Sequence, residues 1–170
     1  MTAPALPHRW RLFVIVAGIT LVLDQASKIF VRSALELGES VTVIDGFWDW
    51  HLAYNTGAAF SMFGSAGFGR VLLTVVGFVA LGIIVYMART ASSRRGLLAL
   101  AAVLGGTVGN LIDRVAFGHV TDFVFWHWHE HPWPIFNVAD VALVVGIGVL
   151  LVDMFAARKT EEAEQTADAS

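Results

Sequence analysis

Apolar residues gather in four long runs, at 12–31, 71–88, 97–115 and 138–157, each close to the roughly 20 residues a helix needs to cross a bilayer. The pattern changes between the first and second runs. There, 41–44 and 47–54 are rich in β-branched and aromatic residues, and Asp45-Gly46 separates them, a two-residue hairpin signal. In the second of these strands Trp48, Trp50, Leu52 and Tyr54 alternate with Asp49, His51 and Ala53, which makes one face apolar and aromatic and suits it to the headgroup boundary. The following NTGAAFSMFGSAGFG is too rich in glycine and small residues to span and reads as a loop or short interfacial helix. Trp126, Trp128 and Trp133 supply comparable interfacial anchors between the third and fourth runs. The pattern predicts an all-α membrane protein of four transmembrane helices with a small sheet at about 39–61.

Composition agrees. Of 170 residues 56% are hydrophobic and 15% charged, against roughly 45–50% and 25% in an average soluble domain. No Pro/Ser/Gly linker divides the chain, so 1–157 reads as one membrane domain. The net charge of −3 owes much to Glu161, Glu162, Glu164 and Asp168, and the stretch 158–170 reads as a cytoplasmic, disordered acidic tail. Arg9 and Arg11 before the first run could suggest a cleaved signal peptide, but Asp24 and Lys28 lie inside it and no small-x-small cleavage site follows, so it is expected to be a retained span. Arg89, Arg94 and Arg95 between the second and third runs, and Arg158 and Lys159 after the fourth, place both termini in the cytoplasm. With no cysteine, thiol nucleophiles, Cys-ligated zinc and disulfides are excluded.

With that orientation the polar residues inside the runs collect at one membrane face. Asp24 and Lys28 lie in the outer half of the first span, Asn110, Asp113 and Arg114 at the outer end of the third, and Asn137 and Asp140 at the outer start of the fourth. Ionisable groups at such depth are costly and ask for a reason. Asp24 and Lys28, four apart, share a helix face and can neutralise each other. Asn110, Asp113 and Arg114 also share a face, and the Arg114 guanidinium has the fork to clamp a carboxylate or a lipid phosphate. Their expected part is support or substrate positioning. Asp153 stands apart near the inner end of the fourth span and reads as an interfacial residue.

Asp122 and Asp140 differ in having no basic residue within four positions on their own segments. If the outer ends of the third and fourth spans are neighbours, the two carboxylates can approach and share one proton, as in an aspartic protease. The competing reading is that each caps a helix or turn, and for Asp140 the position beside Asn137 suits a helix N-terminus. Spacing alone leaves both open. Three other functions fit parts of the pattern. His127, His129 and His131, with Glu130, could converge on zinc from an extended segment, although histidine-rich loops at a membrane surface are more commonly simple contacts. Asp24, Lys28 and Asp113 could form a transport relay, yet no polar path continues to the other face. A non-catalytic assembly factor would explain the spans but not the carboxylate pair.

Five blocks decide among the readings. Asp24-Gln25-Ala26-Ser27-Lys28, Asn55-Thr56-Gly57-Ala58-Ala59-Phe60-Ser61, Gly109-Asn110-Leu111-Ile112-Asp113-Arg114, Val120-Thr121-Asp122-Phe123 and Phe136-Asn137-Val138-Ala139-Asp140 resemble, in order and spacing, the motifs of bacterial lipoprotein signal peptidases over about residues 10–157. The resemblance implies an intramembrane aspartyl endopeptidase of the bacterial inner membrane, with four spans and a small extracytoplasmic β-cradle; no cofactor, metal or nucleic acid is expected. Such enzymes cut prolipoproteins just before the diacylglyceryl-modified cysteine and are blocked by globomycin. It assigns Asp122 and Asp140 to the catalytic pair. Asp24, Lys28, Asn55, Asn110, Arg114 and Asn137 fall in the polar surround, with Asn55 and Arg114 touching substrate backbone or lipid headgroup. The insert HWHEHPWP and the acidic tail are outside the family pattern.

Overall fold

The computed structural model describes residues 7–57, 67–128 and 131–168. Residues 58–66, read above as a loop or interfacial helix, lie outside the described residues, as do His129 and Glu130 of the histidine-rich stretch. Four helices carry the apolar runs: α1 (His8–Ala34), α2 (Phe68–Thr90), α3 (Arg94–Ala116) and α4 (Val138–Asp168). Each is long and apolar enough to cross a membrane. Helix α3 is the centre of the bundle, with 72% of its apolar window buried against 11–17% in the other three. Its neighbours are α1, α2 and α4.

Glycine makes this centre possible. A Cβ on Gly106 would come within 2.7 Å of the Ala139 carbonyl oxygen on α4, and one on Gly105 within 2.5 Å of the Ala17 carbonyl oxygen on α1. Without side chains at these points, the helix backbones approach closely, the usual basis of helix packing in lipid. At the opposite end of α3, Ser93 accepts from the Gly96 N–H at 2.8 Å as N-cap and donates to Asp153 Oδ2 at 2.5 Å. Asp153 therefore joins α4 to the start of α3, a role more specific than the interfacial position its place in the sequence suggested.

The outer sheet is larger than the expected hairpin. Strands β1 (Ser40–Ile44) and β2 (Trp48–Asn55) form that hairpin, with Gly46 at φ 70° in the turn. A third strand, β3 (Val120–Trp128), pairs antiparallel with β2, and β4 (His131–Pro132) pairs with β3. The order is β1-β2-β3-β4. The histidine-rich stretch is thus no surface loop at its described residues: His127 and Trp128 sit on β3 opposite Pro132 and His131. Val120 to Trp128 carries β-branched and aromatic residues at nearly every position, and its partner lies some 70 residues earlier, a pairing no local pattern announces. Leu52, Phe123 and Val31 form a small buried core that seats the sheet on α1.

The acidic end also departs from expectation. Helix α4 runs on to Asp168 through the stretch read as disordered. Ala, Glu, Gln and Lys are strong helix formers, and a helix already nucleated in the bundle extends into them at little cost.

Candidate active site

The site lies where β3 meets the C-terminal ends of α1 and α3 and the N-terminal end of α4. Asp122 is placed by strand pairing, opposite Ala53, so that Asn55, two residues on and paired with Val120, shares its face of the sheet. Asn55 Nδ2 donates to Asp122 Oδ2 at 3.0 Å. Asp140 is placed by a helix cap. Its Oδ2 accepts from the Asn137 backbone N–H at 3.1 Å, while Asn137 Oδ1 accepts from the Asp140 N–H at 3.0 Å, the reciprocal arrangement of a capping box. The cap reading of Asp140 is thus realised.

Asn137 connects the two carboxylates. Its buried amide Nδ2 donates to Asp122 Oδ1 at 2.6 Å and to Asn110 Oδ1 at 3.3 Å. Asn110 Nδ2 in turn donates to Asp140 Oδ1 at 3.0 Å. The direction of this chain is set from behind. Lys28 Nζ, which can only donate, lies 2.9 Å from Asn110 Oδ1, so the Asn110 carbonyl must face the ammonium and its NH₂ must face Asp140.

Lys28 is fully buried, with Asp24 at 2.9 Å and Asp113 at 3.5 Å. Asp24 also accepts from the Ala139 N–H at 2.9 Å, tying α1 to the start of α4, and Asp113 Oδ2 accepts from the Thr121 N–H at 2.9 Å, holding β3 beside Asp122. The buried charges are therefore paired and hydrogen-bonded, the condition under which burial is tolerable. Asn110 and Asp113 point into this cluster, but Arg114 does not join it. It is half-buried, its Nη1 reaches the Asn110 carbonyl at 3.4 Å, and it forms no ion pair among the described residues; with Arg70 it lines a separate groove of about 510 Å³.

Two contributors escaped the sequence reading. Arg32 contacts Asp113 at 3.6 Å and donates to Thr121 Oγ1 at 2.8 Å, and Gln25 Nε2 donates to Asp24 and to the Gly109 carbonyl. Arg32 lies one turn beyond Lys28 on the same face of α1, so the spacing Asp24, Lys28, Arg32 was the available signal.

Asp122 and Asp140 open into a groove of about 540 Å³. Burial and the nearby negative charge of Asp140 push the Asp122 carboxyl up to about 6, against the opposing pull of the Asn137 and Asn55 donors. One of two adjacent carboxyls thus holds a proton more readily than an ordinary aspartate, the state in which a pair can act as acid and base together. Among the described residues no three His, Asp or Glu side chains are placed to hold a metal, and His127 Nε2 instead contacts Asp49 Oδ2 at 3.1 Å.

Residues 16–156 match the family model described as Signal peptidase (SPase) II. The chain belongs to the signal peptidase II family. It is 43% identical to a lipoprotein signal peptidase of Pseudomonas putida, over 85% of this chain and 86% of that one. A Xanthomonas campestris lipoprotein signal peptidase is 40% identical, over 89% and 93%. A solved bacterial membrane enzyme superposes with a TM-score of 0.75 at 25% identity, over 84% of this chain and 91% of that one. Signal peptidase II is a family of aspartic peptidases, and the chain has the four apolar helices of a multi-pass membrane protein.

Proposed function

We propose that Asp122 and Asp140 are the catalytic carboxylates with which this signal peptidase II removes the signal peptides of prolipoproteins. The observation that carries the assignment is Asn137, which donates to Asp122 from its side-chain amide and to Asp140 from its backbone N–H, while Asn55 and Asn110 take up the remaining oxygens. Such a frame holds two acids in one orientation and leaves both facing the same groove. Asp140, with two N–H donors and a helix N-terminus behind it, is the base that takes a proton from water. Asp122, in its protonated form, hydrogen-bonds the scissile carbonyl. Water oxygen bonds to the carbonyl carbon, Asp122 transfers its proton to the developing oxyanion, and the proton on Asp140 passes to the departing nitrogen as the C–N bond breaks. The carbonyl re-forms as its hydroxyl proton returns to Asp122.

The substrate is a precursor carrying a diacylglyceryl cysteine, cut just before that residue, and globomycin-type inhibitors compete for the same groove. Val141, Val144 and Val145 extend the groove along the first turns of α4 into the apolar layer, a surface suited to membrane lipids, an acyl chain or a signal-peptide helix. Asn55 lines it as a contact to substrate backbone, and Arg114, in the separate groove it shares with Arg70, is the contact to a lipid headgroup. The Lys and Arg distribution favours both termini in the cytoplasm and the site at the outer face of the bacterial inner membrane. Asp122→Asn and Asp140→Asn are each expected to abolish cleavage of a lipid-modified precursor while the variant still inserts. Near-normal cleavage by either variant would overturn the assignment. The unmodified precursor should be cut poorly, and equal rates on both would refute the lipid requirement.

A further inference from the structure

The groove that holds Asp122 and Asp140 has a second end, formed by residues on either side of the histidine-rich stretch and at its close. Trp126 on β3 and Trp133 just after β4 line it, together with Pro134 and Ile135. Trp126 is held rigidly. Its ring stacks on Phe47 with centroids 6.0 Å apart and meets Phe136 edge-on at 4.9 Å. Trp133 is pinned beside it, since its N–H donates to the Trp126 carbonyl at 2.8 Å, and Phe136 is tied to Val124 by backbone hydrogen bonds in both directions. Both indoles nevertheless remain open, with 42% of Trp126 and 64% of Trp133 exposed. A wall of exposed aromatic surface, with the Trp126 ring held by its neighbours and the Trp133 backbone tied beside it, is a usual form of anchoring site for a side chain of a bound chain.

The groove also has a direction. Val141, Val144 and Val145 lead from Asp140 down α4, and Trp126 and Trp133 lie on the side of the sheet. A precursor whose signal peptide lies in the bilayer must therefore cross the carboxylates with its mature part heading toward the tryptophans. No Lys or Arg occurs between 116 and 136, so an acidic side chain arriving there finds no cation on this segment and meets the two aspartates instead.

We propose that Trp126 and Trp133 form a selectivity wall for the residue that follows the cysteine, favouring an apolar side chain and disfavouring an acidic one. The inference rests on the peptidase reading above and adds a specificity that reading does not contain. It is tested with two lipid-modified precursors that differ only at this residue, leucine in one and aspartate in the other, and with kcat/KM measured in proteoliposomes. The full-length enzyme should prefer the leucine precursor about ten-fold, the order expected from burying an aliphatic side chain on an aromatic wall. Trp133→Ala should bring the ratio down to about two-fold, chiefly by slowing the leucine precursor, and Trp133→Phe should retain most of it. Trp128→Ala, at a tryptophan that does not line the groove, should keep the original ratio. An unchanged ratio in Trp133→Ala, or equal slowing of both precursors as expected of a mere membrane anchor, would overturn the proposal. So would an equal loss of the ratio in Trp128→Ala. Failure of the peptidase reading would show differently, as cleavage that survives Asp140→Asn.

Discussion

Removing the Asn55 amide should move the pH dependence of cleavage in a direction the site geometry dictates. Asn55 Nδ2 donates to Asp122 Oδ2 at 3.0 Å and so favours the ionised carboxylate, working against the burial and the Asp140 charge that lift this group to about 6. A hydrogen bond to a charged acceptor contributes roughly 1.5–3 kcal/mol, and one pKa unit corresponds to about 1.36 kcal/mol. Asn55 is exposed, so water replaces part of what is lost, and the low end of that range applies. In Asn55→Ala the Asp122 carboxyl should rise by about one unit. If Asp122 must be protonated to act, the fall in kcat/KM on the alkaline side begins near 6 in the native enzyme and moves upward by that amount in the variant, whatever happens to the maximal rate. The assay is cleavage of a fluorescent lipid-modified precursor in proteoliposomes across the acid-to-alkaline range, with insertion checked separately. A limb that stays in place or moves down would refute the role given to Asp122.

The same carboxyl makes a stability prediction of defined sign. Its folded value of about 6 lies above the ordinary 3.8, so the stability it contributes is fully present below 3.8 and is lost as pH rises through 6, a difference on the order of 3 kcal/mol; Asp122→Asn should flatten this part of a thermal-unfolding profile, and an unaltered profile would contradict it. Lys28→Met leaves Asp24 and Asp113 buried without their shared cation and should cost about 3–5 kcal/mol, visible as a large drop in unfolding temperature in detergent. Gly109→Ala drives a methyl group into the Asp24 carboxylate and should abolish both folding yield and activity, whereas Gly82→Ala, which meets nothing within 4 Å, should do neither. Asp153→Ala loosens the cap of α3 and should cost about 1 kcal/mol of stability with cleavage unaffected, since it lies at the far end of the bundle from the groove.

The four spans were legible because membrane insertion is read from a local quantity, the length and hydrophobicity of a run, and each run became a helix, with boundaries shifted by a few residues except at the end of α4, which runs on to Asp168. The polar positions at one face were legible for the same reason, since depth along a helix follows from residue number. The Asp24–Lys28 pair followed from helical periodicity, and the Asp45-Gly46 hairpin from turn chemistry. Family resemblance, not spacing, singled out Asp122 and Asp140. What the chain order alone did not determine was every contact made between distant segments. The pairing of β3 with β2 brings Asn55 to Asp122, and the packing of α3 on α4 brings Asn110 to Asp140. The capping geometry of α4 turns Asn137 into the bridge between the carboxyls. Three of these residues were expected only as polar surround, because a side-chain amide is both donor and acceptor and its role depends on which groups face it. Only the fold puts the Lys28 ammonium on one side of Asn110 and a carboxylate on the other, and that asymmetry orients the amides that hold Asp122 and Asp140.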